Sequence, residues 1–77
     1  MGIQQQRILR AFENGERLTS LGAWQKYSIS RLAARISELR MMGYPIEGFR
    51  RETVNQFGEP THFIEYSMKV QKNATEN

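Results

Sequence analysis

Arginine is the side chain through which this chain is best equipped to do chemistry. Arg31 and Arg35 stand four positions apart in an amphipathic stretch, so a helix carries both on one side, one turn apart. A guanidinium there offers a planar fork of donors that fits a phosphate or the O6 and N7 edge of guanine. Between Arg17 and Arg51 seven basic residues stand against only Glu38 and Glu47, a local excess of +5 in a chain of net charge +3. That excess suits a polyanionic partner. Other chemistries lack their parts. With no cysteine there is no disulfide, zinc-thiolate site or thiol nucleophile, and aspartate is absent too. His62 is the single histidine and has no partner ligands, so a metal is not expected. No serine is accompanied by both a base and an orienting acid, glycine-rich phosphate loops are missing, and 77 residues build too thin a core for a deep cleft. The chain is therefore expected not to be an enzyme and to take no cofactor.

The elements that must position those arginines can be read from punctuation. Ile3 to Asn14 has helical spacing of Ile8, Leu9 and Phe12, and Gly15 ends it. Arg17-Leu18 is a scrap of strand. Thr19-Ser20 then cap a short helix carrying Leu21, Ala23 and Trp24, and Tyr27-Ser28-Ile29 make a tight connection. Ser30 is the expected N-cap of a third helix from Arg31 to Arg40, closed by Gly43 with Pro45 beyond. On this helix Ile29, Leu32, Ala33, Ile36 and Leu39 form the apolar side, and Arg31, Ala34, Arg35, Glu38 and Met42 the front. Past Pro45 the period changes, and Ile46 to Val54 and Thr61 to Met68 read as strands joined by the turn Asn55 to Pro60. Gly48 in phase with Ile46, and Phe49 out of phase, suggest a bulge or an edge strand. The fold class is α+β. Three helices followed by a two-stranded antiparallel hairpin is the order of a winged helix-turn-helix, in a single domain over residues 1–68 with a polar tail at 69–77.

The run Ser30-Arg31-Leu32-Ala33-Ala34-Arg35-Ile36-Ser37-Glu38-Leu39-Arg40, the exit Gly43-Tyr44-Pro45-Ile46, the turn Asn55-Gln56-Phe57-Gly58 and the strand ending Tyr66-Ser67-Met68 resemble a family of short winged helix-turn-helix proteins common in bacteriophage and prophage genomes. The resemblance spans roughly residues 5 to 68 and is most specific in the third helix and its exit. It implies a DNA-binding winged helix. The family commonly has Gly where this chain has Ser28, and a left-handed residue there would cost a serine about 1 kcal/mol. Either Ser28 takes that strain or the turn has another shape.

On this reading the third helix enters the major groove of double-stranded DNA and the hairpin acts as the wing. Arg31 and Arg35 are expected to contact guanine and Ala34 a thymine methyl. Glu38 accepts from a cytosine or orients the two arginines. Ser28, Ser30 and Lys26, with the free N–H groups opening the third helix, suit phosphate, and Arg50, Arg51 and His62 suit phosphate or minor groove from the wing. Arg40, at the edge of the buried side, is expected to cover the core and find a carbonyl or a glutamate. Trp24 reads as a packing residue, Met41-Met42 as gap fillers, Tyr44 and Phe49 as core, and Gln4-Gln5-Gln6 as a solvated helix start.

The function this points to is a small phage-encoded transcriptional regulator of the cytoplasm of the bacterial host, binding specific duplex sites as a homodimer or a cooperative assembly. An excisionase-like architectural factor in site-specific recombination is an alternative. A third reading, from another class, is a module that binds and inhibits a host protein, which would present Met42, Phe49 and Phe57 as one apolar patch. No signal peptide and no membrane span are expected from the apolar runs.

Overall fold

The computed structural model describes residues 2–69. Helices α1 (Ile3–Glu13), α2 (Ser20–Tyr27) and α3 (Leu32–Met41) are followed by strands β1 (Ile46–Val54) and β2 (Pro60–Met68). The strands pair antiparallel in unbroken register from Ile46 opposite Met68 to Val54 opposite Pro60. This is a winged helix-turn-helix. Of the expected tail at 69–77, only Lys69 falls within the described residues.

The core lies where the three helices meet the root of the hairpin. Ile8 and Phe12 of α1, Ala23 of α2, Ile29, and Leu32, Ile36 and Leu39 of α3 are all sealed from solvent, and Ile46 extends the cluster onto β1. The scrap of strand is present as an isolated bridge: Leu18 and Tyr66 exchange both backbone bonds, at 2.8 and 2.7 Å. That bridge docks β2 against the segment leading into α2. Thr19 caps α2, its hydroxyl accepting from the Gly22 N–H at 3.0 Å.

Ser28 closes α2 in the left-handed conformation, with φ 58° and ψ 35°. Its N–H donates to the Trp24 carbonyl and the next N–H, of Ile29, reaches back to Ala23 at 3.1 Å. This wrapped end turns the chain within two residues and drops Ile29 into the core. The strained serine therefore sets the angle between α2 and α3.

Several local expectations give way. Ser30 does not cap α3: it is an exposed bend, and Arg31 holds the N-cap position with no side-chain cap. Ile29 takes its core site so soon after the turn that the chain needs two more residues before it re-enters a helix. The ladder holds no bulge, and β1 is instead the edge strand that the sequence offered as the other option, with a further reason for Gly48. A Cβ there would meet Ile64 Cγ2 at 3.1 Å and Tyr66 Cε1 at 3.4 Å, so the glycine lets those side chains cross β1. Trp24 is not packed but 56% exposed, because an eight-residue α2 buries only Ala23. Met41 and Met42 are exposed as well, lying on the last turn of α3 and just past it, beyond the reach of the core. Ala33 is exposed rather than buried, and Gln5 is buried rather than solvated.

Candidate nucleic-acid interface

Helix α3 turns Leu32, Ile36 and Leu39 inward, so its outward surface centres on Ala34, Ser37 and Met41. Ala33 and Ser37 are exposed one turn apart, and neither carries charge. Arg31, at the N-cap, is exposed and has no ion pair among the described residues. The N–H groups of the first turn of α3 have no side-chain cap, so the positive end of the helix stands open beside a guanidinium. Ser28 and Ser30 are both exposed on the approach to the same end.

Arg35 and Glu38 lie on the flank that faces α1, whereas Ala34 stays on the outward surface. Arg35 donates from one terminal nitrogen to Glu38 Oε2 at 2.8 Å, and its side chain is only 28% exposed. Its Nε is buried without a hydrogen-bond partner, a desolvation cost of about 1–3 kcal/mol in a free protein. Glu38 also accepts from Gln5 Nε2 of α1 at 2.6 Å. The structure thus brings Arg35 and Glu38 together and leaves Arg31 apart from them.

The opposite flank of α3 borders a groove of about 610 Å³ whose walls include Ser20 and Leu21 of α2, Ala33 of α3, and His62 and Ile64 of β2. The wing's cations are divided. The alternation of an antiparallel pair puts Arg50 and His62 on the face that carries Tyr66, and Arg51 on the other. Arg51 donates to Glu65 at 3.0 Å and lies over the Phe49 ring, while Arg17 reaches the same carboxylate at 3.6 Å. Arg50 sits 3.7 Å from Glu52. At the tip, Asn55 Oδ1 accepts from the N–H groups of Phe57 and Glu59, which fixes the turn and leaves Phe57 76% exposed. Phe49 and the tip are separated by on the order of 17 Å of strand, so Met42, Phe49 and Phe57 form no single patch.

Lys26 is also engaged. It pairs with Glu16 at 3.3 Å, and Tyr27 donates its hydroxyl to the same carboxylate at 2.6 Å. Tyr27's hydrogen bond, then Lys26's, hold the Glu16 carboxyl below the usual glutamate range. In return Glu16 raises the pKa of Lys26, and that of the Tyr27 phenol.

Reasoning from sequence missed Ser37 and Ala33 on this surface and the buried Gln5 behind Glu38. The signal for the first two was the wheel centred on Leu32, Ile36 and Leu39 alone. Counting the small Ala33 as apolar turned the inferred front toward α1. Nothing local marks Gln5, whose partner lies 33 positions away.

Among the described residues no helix is long and apolar enough to cross a membrane, and no cluster of three or more potential metal ligands occurs. No curated protein and no solved structure matches the chain significantly. A winged helix-turn-helix family model does, over residues 3–71, which covers all three helices and both strands. With that match and the architecture in agreement, the chain belongs to the winged helix-turn-helix domain family, a fold that binds DNA.

Proposed function

We propose that the protein is a sequence-specific binder of double-stranded DNA, acting as a small phage-encoded transcriptional regulator of the bacterial cytoplasm. The observation that carries this reading is the start of α3: uncapped amides and an unpaired Arg31, leading onto an uncharged face at Ala33 and Ser37. Uncapped helix amides and a free cation suit a phosphate, and small residues let the helix approach base edges closely. In this reading Arg31, Ala34, Arg35 and Glu38 serve the bases, with Ser37 and Ala33 added to that face. Ser28, Ser30 and Lys26 serve phosphate beside α3, and Arg50, Arg51 and His62 serve it from the wing. A single domain of this size buries about 600–1,000 Å² of its own surface on DNA, so a homodimer or cooperative assembly belongs to the proposal.

The test is binding to random-sequence duplex across a salt series, followed by selection of preferred sites from the same pool. A steep loss of affinity with salt and an enriched motif are expected. Half-site spacing in the motif then reports the assembly. A second reading, a module for a host protein partner, draws on Leu21 and Trp24, exposed one turn apart on α2. Absence of duplex binding at low salt would favour it.

A further inference from the structure

We infer that Gln5 of α1 is a positioning residue for base readout by Arg35, acting through Glu38. The inference rests on the DNA-binding reading above and adds to it a residue from outside the helix-turn-helix.

Gln5 is the one buried polar side chain among the described residues, at 9% exposure. Both ends of its amide are used. Oε1 accepts from the Gly2 N–H at 2.8 Å, and Nε2 donates to Glu38 Oε1 at 2.6 Å. The first bond fixes the second, because a flipped amide would set its oxygen against the carboxylate and its NH2 against an N–H. The other oxygen of Glu38, Oε2, accepts from Arg35 at 2.8 Å. A chain of three side chains therefore runs from the first turn of α1 to a guanidinium on α3. Each link removes a rotational freedom from the next, and a long arginine that is already held loses less entropy when it meets a base.

A core role alone accounts poorly for this arrangement. An apolar side chain at position 5 would fill the same space without the cost of burying an amide. The amide's donor is spent on a half-exposed carboxylate whose other contact is Arg35, and not on a core group. Glu38 holds one terminal nitrogen of Arg35 and Nε is buried, which leaves the other terminal nitrogen to face a guanine.

The test compares wild type, Arg35→Ala, Gln5→Met and the double variant on the selected site and on that site altered one base pair at a time. Gln5→Met keeps the length and volume of the side chain and loses both bonds. At the base pair where Arg35→Ala loses discrimination, Gln5→Met is expected to lose roughly five- to tenfold, about the worth of one ordinary intramolecular hydrogen bond. Its affinity for random duplex should stay within about twofold, and in the Arg35→Ala background it should change the ratio no further. An equal loss on all sequences, or the same loss with and without Arg35, is the signature of packing and overturns the inference. Gln5→Asn, too short to span Gly2 and Glu38, carries the same comparison if Gln5→Met melts below the assay temperature. A wild type that selects no motif sinks the DNA reading and this one together. A motif indifferent to Arg35→Ala sinks only this one.

Discussion

Arg40 Nε donates to the carbonyl of Ile46 at 3.0 Å, tying the last turn of the third helix to the first residue of the wing. The bond spans the Gly43-Tyr44-Pro45 exit, and the guanidinium lies 5.7 Å from the Tyr66 ring centre. Helix and wing are thus held at one angle by a side chain from the helix, independently of the turn between them. Arg40→Met keeps the aliphatic stem and removes the donor. It is expected to cost about 1 kcal/mol, which for a domain of this size lowers Tm by about 4–8 °C. Thermal unfolding followed by circular dichroism measures it, and an unchanged Tm would show that the turn alone fixes the wing.

Ser28 makes an opposite prediction. With φ at 58°, it occupies a region that costs L-residues about 1 kcal/mol and glycine nothing. Ser28→Gly relieves that cost but adds freedom to the unfolded chain, so a net gain of a few tenths to about 1 kcal/mol is expected. Ser28→Val should be destabilised by more than 1 kcal/mol, since a branched Cβ tolerates this region worst. Denaturant midpoints for the three proteins rank them. A Ser28→Gly variant less stable than wild type would mean that the serine side chain makes a compensating contact.

The contrast between these two residues shows what sequence can and cannot convey. The bounds of β1 and the exit of α3 were legible because each is written in local punctuation, a proline and a glycine, and the left-handed option at Ser28 followed from the resemblance to a family that commonly has glycine there. The role of Arg40 was legible because its position on the wheel left it at the rim of the core. The start of α3 was not, since Ser30 has the right chemistry for a cap and the wrong place in a turn dictated by Ile29. Nor was the burial of Gln5, which depends on where α1 crosses α3. Local rules set where elements begin and end, whereas which flank of α3 meets α1 is a tertiary fact that one small misassigned residue, Ala33, was enough to obscure.

Glu16 should titrate below the ordinary glutamate value, with the Tyr27 hydroxyl as the main cause. Because the folded value is depressed, its contribution to stability is present above the ordinary pKa and is lost as pH falls through the folded one. Tyr27 behaves in the reverse sense: its value is raised, so its contribution is present below about pH 10 and fades as pH rises through the folded value. Tyr27→Phe is expected to move the Glu16 titration back up toward the ordinary value without abolishing the fold. Carboxyl carbon shifts followed by NMR across pH 2–7 report it. No movement would leave Lys26 as the main cause.

A carboxylate at the outward face of α3 should be intolerable to a polyanion and harmless to the fold. Ser37 is exposed, so Ser37→Glu is expected to change stability by under about 0.5 kcal/mol. On duplex DNA it should weaken binding at least about tenfold on every sequence, through lost close approach and direct repulsion of phosphate. Glu13→Gln, on the exposed side of α1, is the control and should bind like wild type or slightly better. If Ser37→Glu bound DNA normally, the interface would lie on the α1 flank with Arg35, or elsewhere.

The salt dependence of binding separates cations that are free from cations already engaged. Arg31 has no ion pair among the described residues, so duplex DNA that meets it, at a guanine edge and the phosphates beside it, gains a full charge contact, and Arg31→Ala should flatten the slope of log affinity against log salt by about one unit. Arg51 begins from a different state. It is held by Glu65 at 3.0 Å, and to serve a phosphate it must share or surrender that carboxylate, which Arg17 also approaches. Arg51→Ala should therefore flatten the slope by less than Arg31→Ala. Arg51→Ala combined with Glu65→Gln, which removes one charge of each sign, should leave the slope near that of wild type. Binding isotherms at four or more salt concentrations measure all three slopes. A larger effect at Arg51 than at Arg31 would move the electrostatic centre of the interface from the start of α3 to the wing.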